Sequence, residues 1–178
     1  MKNIIFGVIA TVFVVFFGNS QTTLINEDPN FIELVSIRDD MSNQLKRNLD
    51  NNVFTTNDVK RIINSGDEVD ILRLYSLNPS SFTIINNRIV ELKSRLLDDY
   101  PTLAQEVENA RNCVTCNKDL NVVVDNLDKY ISSSKAAGCK WMQFSGCLIL
   151  ATETGPGYPI AAYLCYCSYC ADKYNICF

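Results

Sequence analysis

Residues 140–171 read KWMQFSGCLILATETGPGYPIAAYLCYCSYCA. Two apolar runs flank residues 152–159, TETGPGYP, whose two glycines and two prolines dictate a turn or an irregular loop. The flanking stretches, 140–151 and 160–171, are each about three helical turns long, so the pattern predicts a hairpin of two apolar helices clipped by cysteines. On continuous helices Cys139 and Cys147 would lie about 80° apart, and Tyr163 and Cys170 about 20° apart, giving one cysteine-bearing stripe per helix. A strand is the other reading of residues 165–167, with Cys165 and Cys167 on one face and Tyr166 on the other. Between positions 139 and 178 only Lys140, Glu153, Asp172 and Lys173 are charged. Such an apolar surface either packs internally or is presented to a membrane or protein partner, and internal packing is the simpler expectation.

All eight cysteines lie in the last part of the chain: Cys113-x2-Cys116, Cys139, Cys147, and Cys165-x-Cys167-x2-Cys170-x6-Cys177. In an oxidising compartment an even set of this density predicts four disulfides, with all 105 pairings open. Two rivals use the same residues. Cys113-x2-Cys116 with Cys167-x2-Cys170 has the paired form of a four-cysteine zinc site, but its gap is long and zinc needs reduced thiols. Cys113-Val114-Thr115-Cys116 is formally a redox pair, but it follows a helical pattern where thioredoxin-like chemistry wants a strand before it.

The compartment is read from the first residues. Met1, Lys2 and Asn3 form a short positive start, and residues 4–18 carry no charge. Fifteen apolar residues make a helix of about 22 Å, short of the roughly 30 Å hydrocarbon core of a bilayer, which favours a signal peptide over an anchor. Gly18 and Ser20 place small side chains before a cut ahead of Gln21. The expected organisation is a signal peptide at 1–20, a helical domain at 21–112 that would serve as a pro-region, and a cysteine-rich module at 113–178. The expected localisation is secreted or extracytoplasmic, in the periplasm or cell envelope.

The cysteine-free segment reads as short helices. Asp28 and Pro29 resemble an N-cap and first helical position, followed at helical spacing by Phe31, Leu34, Val35, Met41, Leu45 and Leu49. Thr56 is expected to cap a second helix through Val59, Ile62 and Ile63, ended by Ser65-Gly66. Asp67 begins a third, with Val69, Ile71, Leu72, Leu74 and Tyr75, stopped by Asn78-Pro79. Ser80 or Ser81 then precedes the clearest helical pattern, Phe82, Ile84, Ile85, Ile89, Val90, Leu92, Leu96 and Leu97. Pro101 opens the last, through Leu103, Val107 and Ala110. The fold class expected is mainly α, a small helical bundle followed by a disulfide-rich, helical-hairpin C-terminal module.

The chain has no histidine. That excludes serine–histidine and cysteine–histidine nucleophile pairs and histidine-bearing zinc sites. No Gly-rich phosphate loop or G-x-S-x-G elbow is present. Residues 21–112 hold fifteen Asp or Glu against ten Lys or Arg, and residues 113–178 are balanced, so nothing basic suggests nucleic acid as a partner. The reading is a non-enzymatic protein with no catalytic, cofactor or metal residues, and with a membrane or envelope protein as target.

The aromatic tail Tyr163-Leu164-Cys165-Tyr166-Cys167-Ser168-Tyr169-Cys170, closing on Cys177-Phe178, is similar to the fulvocin C-related bacteriocin family of bacterial secreted proteins. The similarity covers no more than residues 113–178. It implies an exported antibacterial peptide or its precursor. The alternative reading of the chain is an extracellular or envelope protein-binding module with no antibacterial activity. Ala137-Gly138 is a poor relative of a double-glycine processing signal, and the dibasic pairs Lys46-Arg47 and Lys60-Arg61 fall inside expected helices. A cut after Gly138 would part Cys113 and Cys116 from the other six cysteines. Intact mass of the secreted protein, taken before and after reduction and alkylation, should show residues 1–20 removed and eight alkyl groups added only after reduction; alkylation without reduction would refute the four-bridge reading.

Overall fold

Chain entry into the fold follows the expected chemistry at Asp28 and Pro29. Pro29 takes the first helical position, where a missing N–H costs nothing, and Asp28 Oδ1 accepts from the N–H groups of Asn30 at 2.7 Å and Phe31 at 3.3 Å. The helix so started, α1, is Pro29–Asp50, and a 3-10 turn, Ile25–Glu27, precedes it. The computed structural model describes residues 25–112 and 140–169. The expected signal peptide, residues 113–139 and residues 170–178 lie outside the described residues.

Helix α2, Thr56–Ser65, is capped by Thr55 instead of the expected Thr56. The reason is reciprocity: Thr55 Oγ1 accepts from Asp58 N–H at 3.2 Å, and Asp58 Oδ2 accepts from Thr55 N–H at 3.0 Å, whereas Thr56 has Val59 three residues on and no group to return the bond. Gly66, at φ 68°, ends α2 in the left-handed conformation expected of it. Asp67 caps α3, Glu68–Leu74.

Asn78-Pro79 was expected as a stop and works as a start. Asn78 Oδ1 accepts from Ser81 N–H at 2.8 Å and Pro79 opens α4, Pro79–Asp99, so Ser80 and Ser81 lie inside the helix they were expected to cap. Helix α5, Leu103–Arg111, begins two residues after Pro101, because 101–102 are spent in a turn in which Leu103 N–H donates to Tyr100 O at 2.8 Å. The last elements are α6, Trp141–Ala151, a 3-10 helix, Thr152–Gly157, and α7, Tyr158–Tyr169. The protein is mainly α, with no strand among the described residues, and residues 165–167 are helical.

Two apolar clusters share α1. One gathers Phe31 and Leu34 with Ile89, Leu92 and Leu96 of α4, Leu103, Val107 and Ala110 of α5, and the buried side chains of α6 and α7. The other joins Met41 and Leu45 to Val59 and Ile62 of α2 and to Leu74 and Tyr75. Val69, Ile84 and Val90, counted in the apolar patterns, are exposed, because each falls off the stripe that faces a neighbouring helix. The apolar residues of α6, and Tyr158, Ile160, Ala162 and Cys165 of α7, take the internal-packing alternative: they complete the core of the helices before them.

Polar bonds fix the helix order. Arg88 of α4 donates from Nε and Nη2 to the two carboxylate oxygens of Glu33 of α1, each at 2.6 Å, a bidentate pair. Asn48 Nδ2 donates to Leu74 O at 2.8 Å and to Ser76 Oγ at 3.0 Å, holding the end of α3 on α1. Tyr100 OH donates to Asp28 Oδ2 at 3.1 Å, tying the end of α4 to the cap of α1.

Burial, followed by this bond to Asp28, pushes the Tyr100 phenol up to about 12 from an ordinary 10. A raised folded-state value means that the contribution is complete below pH 10 and lost as pH rises through about 12. Tyr100→Phe should therefore lower stability by about 1 kcal/mol at pH 8 and reduce the loss seen between pH 10 and 12. Urea midpoints at several pH values check this, and parallel alkaline losses in both proteins would refute it.

Candidate functional site

Two of the eight predicted bridging cysteines are brought together. Cys147 of α6 and Cys165 of α7 form a disulfide, with Cα atoms 5.5 Å apart and a sequence separation of 18. Cys113, Cys116, Cys139, Cys170 and Cys177 lie outside the described residues, and Cys167 falls within α7 with its side chain outside them. Closing a loop of this size restricts the unfolded chain by roughly 3 kcal/mol in the chain-entropy account. Both sulfur-bearing residues are buried, so an attacking thiolate has poor access and the bridge acts as a staple. Among the described residues no group of three or more ligand-type side chains could hold a metal ion.

The hairpin around this bridge is closed at its base by Lys140 N–H donating to Tyr169 O at 2.9 Å. The second helix starts at Tyr158, two residues before the expected Ile160, because Pro159 needs no N–H partner in a first helical turn. The connection is an ordered 3-10 helix broken at Gly155, whose φ of 57° and ψ of −122° suit glycine alone. In these apolar surroundings hydroxyls take up main-chain carbonyls: Ser145 Oγ donates to Trp141 O at 2.7 Å, Thr152 Oγ1 to Ile149 O at 2.6 Å, and Thr154 Oγ1 to Ala151 O at 2.7 Å.

Helix α6 is covered on nearly every side. Met142, Phe144, Ser145, Gly146, Cys147, Leu148, Ile149 and Ala151 are buried, which leaves only Trp141, Gln143 and Leu150 partly open. Each fully buried aliphatic such as Leu148 or Ile149 contributes about 1.5–3 kcal/mol. Phe31 of α1 meets Trp141 and Phe144 edge-on, with ring centroids 6.3 and 6.2 Å apart. Where α6 crosses α5, a Cβ on Gly146 would lie 2.6 Å from both the backbone carbon and the Cβ of Glu106. Gly146 is therefore required for space, whereas Gly155 is required for backbone conformation. On α7, Tyr158 is fully buried and its OH donates to Leu34 O of α1 at 3.0 Å.

Charge touches the hairpin at its turn. Lys93 Nζ of α4 lies 2.9 Å from Glu153 Oε1, and Arg111 Nη2 of α5 lies 3.1 Å from Glu153 Oε2. Hydrogen bonding to Lys93 first, and to Arg111 after it, holds the Glu153 carboxyl below the usual carboxylate range. In the sequence Glu153 is one of four charged residues between positions 139 and 178, and its partners lie 60 and 42 residues away. Gly146 and the Tyr158 hydroxyl were also missed; the only signal for Gly146 was a glycine inside an otherwise helical apolar run.

No protein-family model, curated protein or solved structure matches the chain. Gly146→Ala should destabilise the fold by about 1–3 kcal/mol through the forced separation of α5 and α6. Tyr158→Phe should cost about 1 kcal/mol by leaving a buried carbonyl short of a donor. Urea unfolding with an unchanged slope checks both, and a Gly146→Ala protein as stable as the parent would refute the close crossing.

Proposed function

We propose that this chain is an exported, non-enzymatic, bacteriocin-like protein whose disulfide-clipped hairpin acts on a bacterial membrane or envelope target. One observation carries the reading: α6, the turn and α7 contain a single charged residue, Glu153, across residues 141–169, and are closed on themselves by Cys147–Cys165. Helices that are apolar nearly all round are satisfied by only two surroundings, a protein core or a lipid bilayer. In this reading the helices of residues 25–111 provide the first surrounding, and act as a carrier. The sequence similarity of the cysteine-rich tail to fulvocin C-related bacteriocins supports the same assignment, as does an apolar N-terminus of signal-peptide length.

A second reading, an extracellular or envelope protein-binding module with no antibacterial activity, is favoured by the depth at which α6 is packed. There the hairpin is a structural centre and the intact protein is the working form. Oxidised secreted protein, added to indicator bacteria and to dye-loaded liposomes, should release contents from both and lose that activity after reduction and alkylation. Inactivity across a broad panel, together with co-purification of the helical and C-terminal parts after limited proteolysis, would decide for the second reading.

A further inference from the structure

The carboxylate of Glu153 stands on the turn opposite the Lys140–Tyr169 base, which is the end with which such a hairpin would enter a bilayer. Helices α3, α4, α6 and α7 pack against this turn. Helix α4 contributes Lys93, at 2.9 Å, and Arg111 reaches the same carboxylate from α5 at 3.1 Å. Arg111 is shared with Glu108, whose Oε1 lies 3.4 Å from its Nε. Helix α3 carries Glu68, Asp70 and Arg73, and Asp70 pairs with Arg73 at 2.7 Å. Within residues 141–169 of α6 and α7 there is no other charged group.

We propose that Glu153, Lys93 and Arg111 form a latch holding the hairpin tip on the surrounding helices, and that loss of the Glu153 charge in acid releases the hairpin into a lipid bilayer. The inference rests on the membrane reading above and adds its trigger. Partly exposed ion pairs contribute little to overall stability, so the latch acts on the choice of surrounding instead of on folding. A carboxylate is strongly disfavoured in hydrocarbon, whereas a protonated carboxyl is tolerated. The sign is consistent on both sides. Pairing lowers the Glu153 value from 4.5 in the folded protein, so the latch is complete above pH 4.5 and weakens as pH falls through the lowered value. Desolvation in lipid raises the same group, so insertion takes up a proton.

Length limits the inserted state. The eleven residues of α6 and twelve of α7 make helices of about 16 and 18 Å, roughly half the hydrocarbon thickness. The hairpin therefore enters one leaflet without crossing, in keeping with the absence of any described helix long and apolar enough to span a membrane.

Trp141 is the sole tryptophan and sits against Phe31, so release changes its emission. Full-length oxidised protein is mixed with phosphatidylcholine vesicles carrying brominated acyl chains, whose headgroup charge stays constant from pH 7 to 4. Quenching of Trp141 should report about tenfold stronger partition per unit of pKa difference between the two surroundings as the pH falls. Glu153→Gln should partition at pH 7 more strongly than the parent does at pH 7 and with a flatter profile from pH 7 to 4, and Lys93→Gln should move the parent's rise in partition to higher pH. Identical pH profiles for the parent and Glu153→Gln would overturn the latch while leaving the membrane reading standing. Absence of partition by either protein at any pH would overturn both.

Discussion

The crossing of α6 over α5 at Gly146 sets the positions of the other helices. With a hydrogen in place of a side chain, the α6 backbone approaches α5 so closely that a Cβ on Gly146 would lie 2.6 Å from the Glu106 carbonyl carbon, and the other sides of α6 are covered by further helices. Helix α1 does this through Phe31 and Leu34, and α7 does it through the Cys147–Cys165 bridge. Helix α4 closes the cluster with Ile89, Leu92 and Leu96. The amphipathic helices α1, α4 and α5 are arranged around α6, which is apolar on nearly every side.

Polar interactions are placed where this packing leaves freedom. Tyr158 OH fixes the entry of α7 against the main chain of α1, and Tyr100 OH returns α4 to the cap of α1. Arg88 and Glu33 set the register of α1 on α4 from the outside. None of these bonds alone exceeds about 1–3 kcal/mol, yet each joins residues more than fifty positions apart, so each selects one arrangement of helices from several that would bury similar apolar area.

The same features bear on function. Cysteine is absent from residues 21–112, so no disulfide can fasten that segment to the hairpin, and the contact between them is one of packing, hydrogen bonds and ion pairs. The hairpin is stapled within itself and held to its neighbours reversibly. A segment built in this way keeps its two helices joined by the Cys147–Cys165 bridge whatever surrounds it.

Much of the local structure was legible in the sequence. Asp28-Pro29 begins α1, Gly66 ends α2, and two apolar runs about a Gly-Pro-Gly turn make the hairpin, because capping, turn chemistry and apolar periodicity act over a few residues. Boundaries slipped where a local signal has two uses: Asn78-Pro79 can stop one helix or start the next, and Thr55 outcompetes Thr56 only through Asp58. The sequence by itself determined the helices, the hairpin and the charge-poor composition of the C-terminal region. Only the tertiary structure decided that Cys147 pairs with Cys165, that Gly146 is a point of helix contact, and that Lys93 and Arg111 converge on Glu153. Those choices depend on residues distant in the chain being brought within a few ångströms, and neither spacing nor composition carries that distance.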